Sequence, residues 1–132
     1  MFLSSNGTFQ LSRLYGQYLK HNRIIIAYDI DDTVRPFYCK NCDDTIKLIK
    51  EAKEVLNAYF VVYTSNPDID GVKKFLKEKE LPYDTINENL PFIPYSTGKL
   101  FYNIFLDDKA GLDQAKSVLR ELIGIVKSKQ TN

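Results

Sequence analysis

The sequence predicts an α/β fold built on a parallel sheet that is covered on both faces. Short apolar runs rich in β-branched or aromatic residues recur along the chain, each long enough for one buried strand. Between them lie segments whose apolar residues repeat at helical spacing. Strands alternating with helices require crossover connections, and these produce parallel pairing.

Each element has its own signature. Leu11, Leu14, Tyr15, Tyr18 and Leu19 share one helical face after a polar start, which predicts an amphipathic helix. Ile24 to Tyr28 reads as the first buried strand. From Asp44 to Asn57, Ile46, Ile49, Ala52 and Leu56 form the inward face of a second helix. Tyr59 to Tyr63 is the second strand. Asn66 and Pro67 predict an N-cap followed by proline at the first helical position. The helix they open carries Ile69, Val72, Phe75 and Leu76 inward. Pro82 to Ile86 reads as a shorter third strand, and Asn87 to Gly98, with its prolines and Ser-Thr-Gly, as loop. Phe101 to Leu106 is the fourth strand. Leu112 to Lys127 is the last helix, burying Leu112, Ala115, Leu119, Leu122, Ile123 and Val126.

A chain of 132 residues has room for one domain. Residues 1–132 therefore read as one unit, with 1–22 an N-terminal helical extension and 23–128 the core. Eighteen basic and seventeen acidic residues leave a net charge of +1, so no general basic field draws in nucleic acid. No apolar run approaches the length that spans a bilayer, and the polar N-terminus is not a secretory signal. The expected location is the cytoplasm. Cys39 and Cys42 are too few for a disulfide framework. With His21 the only histidine, zinc lacks ligands, and the pair reads as ordinary thiols.

In open α/β sheets functional groups gather at the carboxyl ends of the strands. Asp29 and Asp31 follow the first strand, Thr64 and Ser65 the second, and Asp107 and Asp108 the fourth. Four carboxylates in one small site repel each other unless a cation lies among them. An all-oxygen set favours a hard ion, with Mg2+ the expected one. Lys99, just ahead of the fourth strand, adds positive charge. A hydroxyl, a lysine and a metal together suit phosphoryl transfer, which needs positive charge around the equatorial oxygens and an in-line nucleophile.

These residues resemble the haloacid dehalogenase superfamily of aspartate-nucleophile phosphatases. Asp29-Ile30-Asp31-Asp32-Thr33-Val34 is similar to its first motif and Phe60-Val61-Val62-Tyr63-Thr64 to its second. Lys99 is similar to the third, and Phe105-Leu106-Asp107-Asp108 to the fourth. The resemblance implies a three-layer α/β/α Rossmann-like fold. It also implies a role for each residue. Asp29 would attack phosphorus and form an aspartyl-phosphate. Asp31 would protonate the leaving oxygen, then activate water, and touch the metal through its carbonyl. Thr64 would hydrogen-bond the phosphoryl group and Lys99 neutralise it. Thr33, Ser65 and Asn66 would help bind substrate. Asp108 and Asp107 would complete the metal ligands with Asp29 and Asp31.

The chain departs from the family at Asp32, where Gly is common, and at Lys99, which abuts its strand; Lys109 is the competing lysine. The short connections after the first and second motifs leave no room for a cap domain, so the chain resembles short capless members from bacteria and their viruses. The expected activity is a phosphomonoesterase acting on a nucleotide or a nucleic-acid phosphate end, as monomer or homodimer, away from membranes. A non-catalytic binding or regulatory module, or a phosphotransferase, is the alternative.

Other readings of the same residues are weaker. A calcium loop wants Gly at Val34 and Glu at Lys40. A phosphate-receiver domain carries its acidic pair on the first strand and its lone aspartate on the third, the reverse of the order here. Asp29 and Asp31 as solvated surface aspartates, Thr64 and Ser65 as turn residues, and Asp107 and Asp108 as helix caps are the bland readings. Tyr15, Tyr18, Tyr59, Tyr63 and Tyr102 fit packing, whereas Phe37, Tyr38 and Tyr95 lie in expected loops where they would stack on a base or sugar.

Overall fold

The computed structural model describes residues 5–36, 42–94 and 100–130. Helix α1 spans Ser5–His21, β1 Ile25–Tyr28, α2 Cys42–Leu56, β2 Tyr59–Val62 and α3 Ile69–Glu78. Strand β3 is Thr85–Ile86, β4 Ile104–Leu106 and α4 Leu112–Gln130. The four strands form one sheet in the order β3-β2-β1-β4, and every neighbouring pair is parallel. The α/β class and the parallel sheet expected above are thus present.

Topology decides which face each connection covers. The steps β1-α2-β2 and β2-α3-β3 run in the same direction, so right-handed crossovers put both helices on one face. The step from β3 back to β4 runs the other way, so its connection crosses the opposite face. Packing agrees with this. Ile24 just ahead of β1, Ile26 and Tyr28 from β1, and Phe60 and Val62 from β2 share the main core with buried residues of all four helices. Ile25, Ala27 and Val61 point the other way, into a small cluster with Leu90, against which Ile93, Leu100 and Phe101 pack. Among the described residues no helix covers that second face.

Helix α4 packs against both α1 and α2. Its buried Ala115, Val118, Leu119, Leu122, Ile123 and Val126 recur at three- and four-residue steps. Leu14 of α1 is buried in the same core, with Leu11, Tyr15 and Tyr18 packed against it. Lys116, almost fully buried, reaches Asp44 at the start of α2 with Nζ 2.7 Å from Oδ2, and Arg120 pairs with the same oxygen. The Lys116 hydrogen bond leads in holding the Asp44 carboxyl below its ordinary range.

Several boundaries differ from the periodicity. The N-cap of α3 is Asp68, whose Oδ1 accepts from the Gly71 N–H at 3.0 Å, and not Asn66. Asn66 Oδ1 instead accepts from the Asp68 N–H, so the Asn-Pro pair builds a turn ahead of the helix. Strand β4 starts at Ile104, because the Asn103 side chain takes the ladder position and accepts from the Ile25 N–H at 2.7 Å. Strand β3 keeps two residues for the same reason, with Asp84 Oδ2 accepting from the Phe60 N–H. Cys42 is buried and disulfide-bonded, which corrects the expectation of an ordinary thiol. Its companion in the Cys-x-x-Cys, Cys39, lies outside the described residues.

Candidate functional site

The site begins where the strand ladder ends. Tyr28 pairs with Val62 on one side and with Leu106 on the other. One residue further, the same register brings Asp29, Tyr63 and Asp107 level. The Asp29 N–H still donates to the Leu106 carbonyl at 3.0 Å, and the Tyr63 N–H to the Tyr28 carbonyl at 2.9 Å. Side chains alternate along a strand, so these three rise on the face of Ala27, Val61 and Phe105, away from the helices.

After Asp29 the chain folds back on itself. The Ile30 carbonyl accepts from the N–H groups of Thr33, Val34 and Arg35, and the Asp32 N–H donates to the Arg35 carbonyl. Ile30 and Val34 are fully buried and pin this turn to the core. Asp32 sits at φ 62, in the left-handed region. Gly takes that conformation most cheaply, and Asp is one of the few other residues that tolerate it. The departure at this position is therefore compatible with the turn.

Carboxylate oxygens of Asp29, Asp107 and Asp108 lie within 4.8 Å of one another. Asp29 is partly buried, and its carboxyl is pushed up to about 6. Burial is the largest cause, opposed by the Ile30 N–H and reinforced by the charges of Asp107, Asp108 and Asp31. Asp108 is raised too, by desolvation first, then by its hydrogen bond to Asp107 and the neighbouring charges, with Lys109 opposing. Three oxygen donors whose mutual repulsion hinders ionisation fit a hard divalent cation, and these residues could hold one.

The remaining expected residues fall into distinct places. Asp31 is not in the triad: its Oδ1 accepts from Arg35 Nε at 2.9 Å and Nη2 at 2.7 Å. Thr33 is fully buried, and its Oγ1 accepts from the Asp108 N–H at 3.1 Å. It ties the first-strand turn to the acidic pair, with no face toward the cleft. Thr64 is buried at the end of β2, where its Oγ1 accepts from the Asn66 N–H at 3.1 Å. That bond leaves the hydroxyl proton to donate elsewhere. Ser65 is exposed and lines the cleft with Asp29, Asp107 and Lys109. Lys99 lies outside the described residues, as do Phe37, Tyr38 and Tyr95.

Four residues at the site have no site role assigned from the sequence. Asn87, at φ 55, clamps Thr64: its Oδ1 accepts from the Thr64 N–H and its Nδ2 donates to the Thr64 carbonyl, both at 2.9 Å. Arg35 holds Asp31. Tyr63 and Tyr102, which fit packing in the sequence, line the cleft beside Asp29. Counting alternate residues from Ala27 and Val61 finds Tyr63, because it puts that side chain on the face of Asp29. No sequence signal marks Arg35 or Tyr102.

Against known proteins, no family model matches this chain, and neither does a curated protein or a solved structure. The functional reading rests on the site itself. No described helix is long and apolar enough to cross a membrane.

Proposed function

We propose that the chain is a magnesium-dependent phosphomonoesterase of the haloacid dehalogenase type, acting in the cytoplasm. Its scaffold would be the three-layer Rossmann-like arrangement without a cap, in which Leu90, Ile93, Leu100 and Phe101 belong to the layer on the second face. The observation that carries this is the meeting of Asp29, Asp107 and Asp108 at the carboxyl end of β1 and β4, with Lys109 on the same cleft.

Asp29 is the nucleophile. Its carboxylate oxygen bonds to phosphorus as the bond from phosphorus to the leaving oxygen breaks, giving an aspartyl-phosphate and an alcohol. Water then attacks the same phosphorus, releasing inorganic phosphate and restoring Asp29. Asp29, Asp107 and Asp108 would hold a magnesium ion, which would supply positive charge against the phosphoryl oxygens. Lys109 adds charge from the cleft wall, and the Thr64 hydroxyl donates toward the phosphoryl group from a position that Asn87 holds. Asp31 protonates the leaving oxygen once it exchanges its Arg35 pairing for substrate. The substrate would be a nucleotide or a nucleic-acid phosphate end.

One observation favours a second reading. Asp31 Oδ1 is taken up by Arg35, and Asp31 is not among the residues that line the cleft beside Asp29. A binding or regulatory module without turnover would tolerate that arrangement. Hydrolysis of an aryl phosphate with and without magnesium, beside Asp29→Asn, separates the two. Turnover that needs magnesium and vanishes in Asp29→Asn supports the enzyme; activity surviving in the variant removes the nucleophile. Beryllium fluoride should form an adduct on Asp29.

A further inference from the structure

The cleft beside Asp29 has an aromatic wall that hydrolysis alone leaves unused. Tyr63 stands level with Asp29, and Phe105 lies one pleat below Asp107 on the same face. The Tyr63 and Phe105 ring centroids are 5.4 Å apart, and the Tyr102 ring is 5.2 Å from Phe105. Tyrosines that served only packing would be covered. Instead Tyr63 is 45% and Tyr102 38% exposed, and both line the cavity that holds Asp29, Asp107 and Lys109. Half-wetted rings beside a charged cluster form an amphipathic site, apolar at one end and polar at the other. At about 310 Å³ the cavity is at the small end of ligand sites. It suits one ring and one phosphoryl group better than a polymer.

We infer that Tyr63, Phe105 and Tyr102 form a stacking platform for a planar ring in the leaving group of a phosphomonoester. The phosphoryl end of this inference rests on the hydrolase reading; the ring end does not. A nucleoside monophosphate and an aryl phosphate share the required chemistry, a flat ring carried near phosphorus. An aliphatic phosphate has nothing to stack.

Kinetics test the platform by comparing adenosine monophosphate and phenyl phosphate with glycerol phosphate, in wild type, Tyr63→Leu and Tyr63→Phe. Tyr63→Leu should raise KM for the planar substrates on the order of tenfold, with kcat moving less. Tyr63→Phe, which keeps the ring, should restore it. The planar-to-aliphatic ratio of kcat/KM falls accordingly. An unchanged ratio in an active Tyr63→Leu enzyme overturns the platform and leaves the hydrolase standing. Ring binding is read separately, by titrating Asp29→Asn protein with adenosine and with phenol while following tyrosine ring resonances. Shifts at Tyr63 and Tyr102 support the platform even where the wild-type protein hydrolyses no phosphate, an outcome that removes the hydrolase alone. No shift with either ring overturns it. The ring that binds more tightly distinguishes a nucleoside from a simple aryl group.

Discussion

On the face of Ile26 and Tyr28, four helices bury a continuous apolar core, whereas on the face of Ala27 and Val61 the described residues that pack on the sheet from the connecting segment are Leu90, Ile93, Leu100 and Phe101. Beyond that segment, Asp29, Tyr63 and Asp107 line a cleft. The difference separates two tasks. Clustered carboxylates lose solvation when covered, so they sit where the sheet is thinly clad. The stability that offsets their repulsion comes from the opposite face.

The largest expected effect lies at the thin face and concerns turnover. With Asp29 as the proposed nucleophile, Asp29→Asn should lower kcat at least about a thousandfold, because an amide does not attack phosphorus. The same substitution should stabilise the metal-free protein by about 1 kcal/mol. Solvent screening of the partly exposed carboxyl keeps the gain this small. Denaturant titration of both proteins checks it. A less stable variant would break the contrast between the faces.

Next in size is a core deletion on the helical face. Leu122→Ala, fully buried in α4, should cost about 3 kcal/mol. Ile93→Ala, only partly buried over the second face, should cost about 1 kcal/mol. Equal losses in urea unfolding would show that the thin face carries as much of the fold.

A smaller effect concerns pH. The raised carboxyl of Asp29 means that the folded metal-free protein binds more protons than the unfolded chain between about 6 and the ordinary carboxylate range. This group's contribution therefore destabilises the fold above pH 6, and the penalty fades as pH falls through 6 toward 4. Asp44, lowered, acts in the opposite direction at lower pH, and its exposure keeps that contribution small. Melting temperature measured across pH 4–8 should show the Asp29 trend in wild type. The trend should shrink in Asp29→Asn, where Asp108 keeps its raised carboxyl, and flatten when magnesium is added.

The smallest effect sharpens the turn. Asp32→Gly should leave stability within about 0.5 kcal/mol, because the left-handed φ suits Gly and offsets its entropy cost. Asp32→Val should lose about 1–2 kcal/mol, read as a drop in melting temperature. Equal behaviour of the two variants would mean that backbone strain does not govern this turn.

Much of the site could be read directly because it follows short-range rules. Apolar runs at Ile24 to Tyr28 and Tyr59 to Tyr63 mark strands, and polar residues at their ends mark a rim. Asp29, Asp107 and Asp108 come together through that rule alone. Other details were not legible, because side chains replace backbone partners there. Asn103 and Asp84 shorten two strands in this way, and Asp68 displaces Asn66 as the cap of α3. Periodicity carries no record of such exchanges.

By itself the sequence determined the strand and helix order, and with it the set of carboxylates that a parallel sheet gathers at one edge. Period and apolarity are local properties, and burying a β-branched run leaves few ways to pair it. Tertiary structure alone decided how each carboxylate is used. Asp29 joins Asp107 and Asp108, while Asp31, two residues on, turns to Arg35. It also placed Thr33 under Asp108 and opened Tyr63 and Tyr102 to the cleft. Those outcomes depend on distances between residues far apart in the chain, set by packing against the core and by the charges each group meets there.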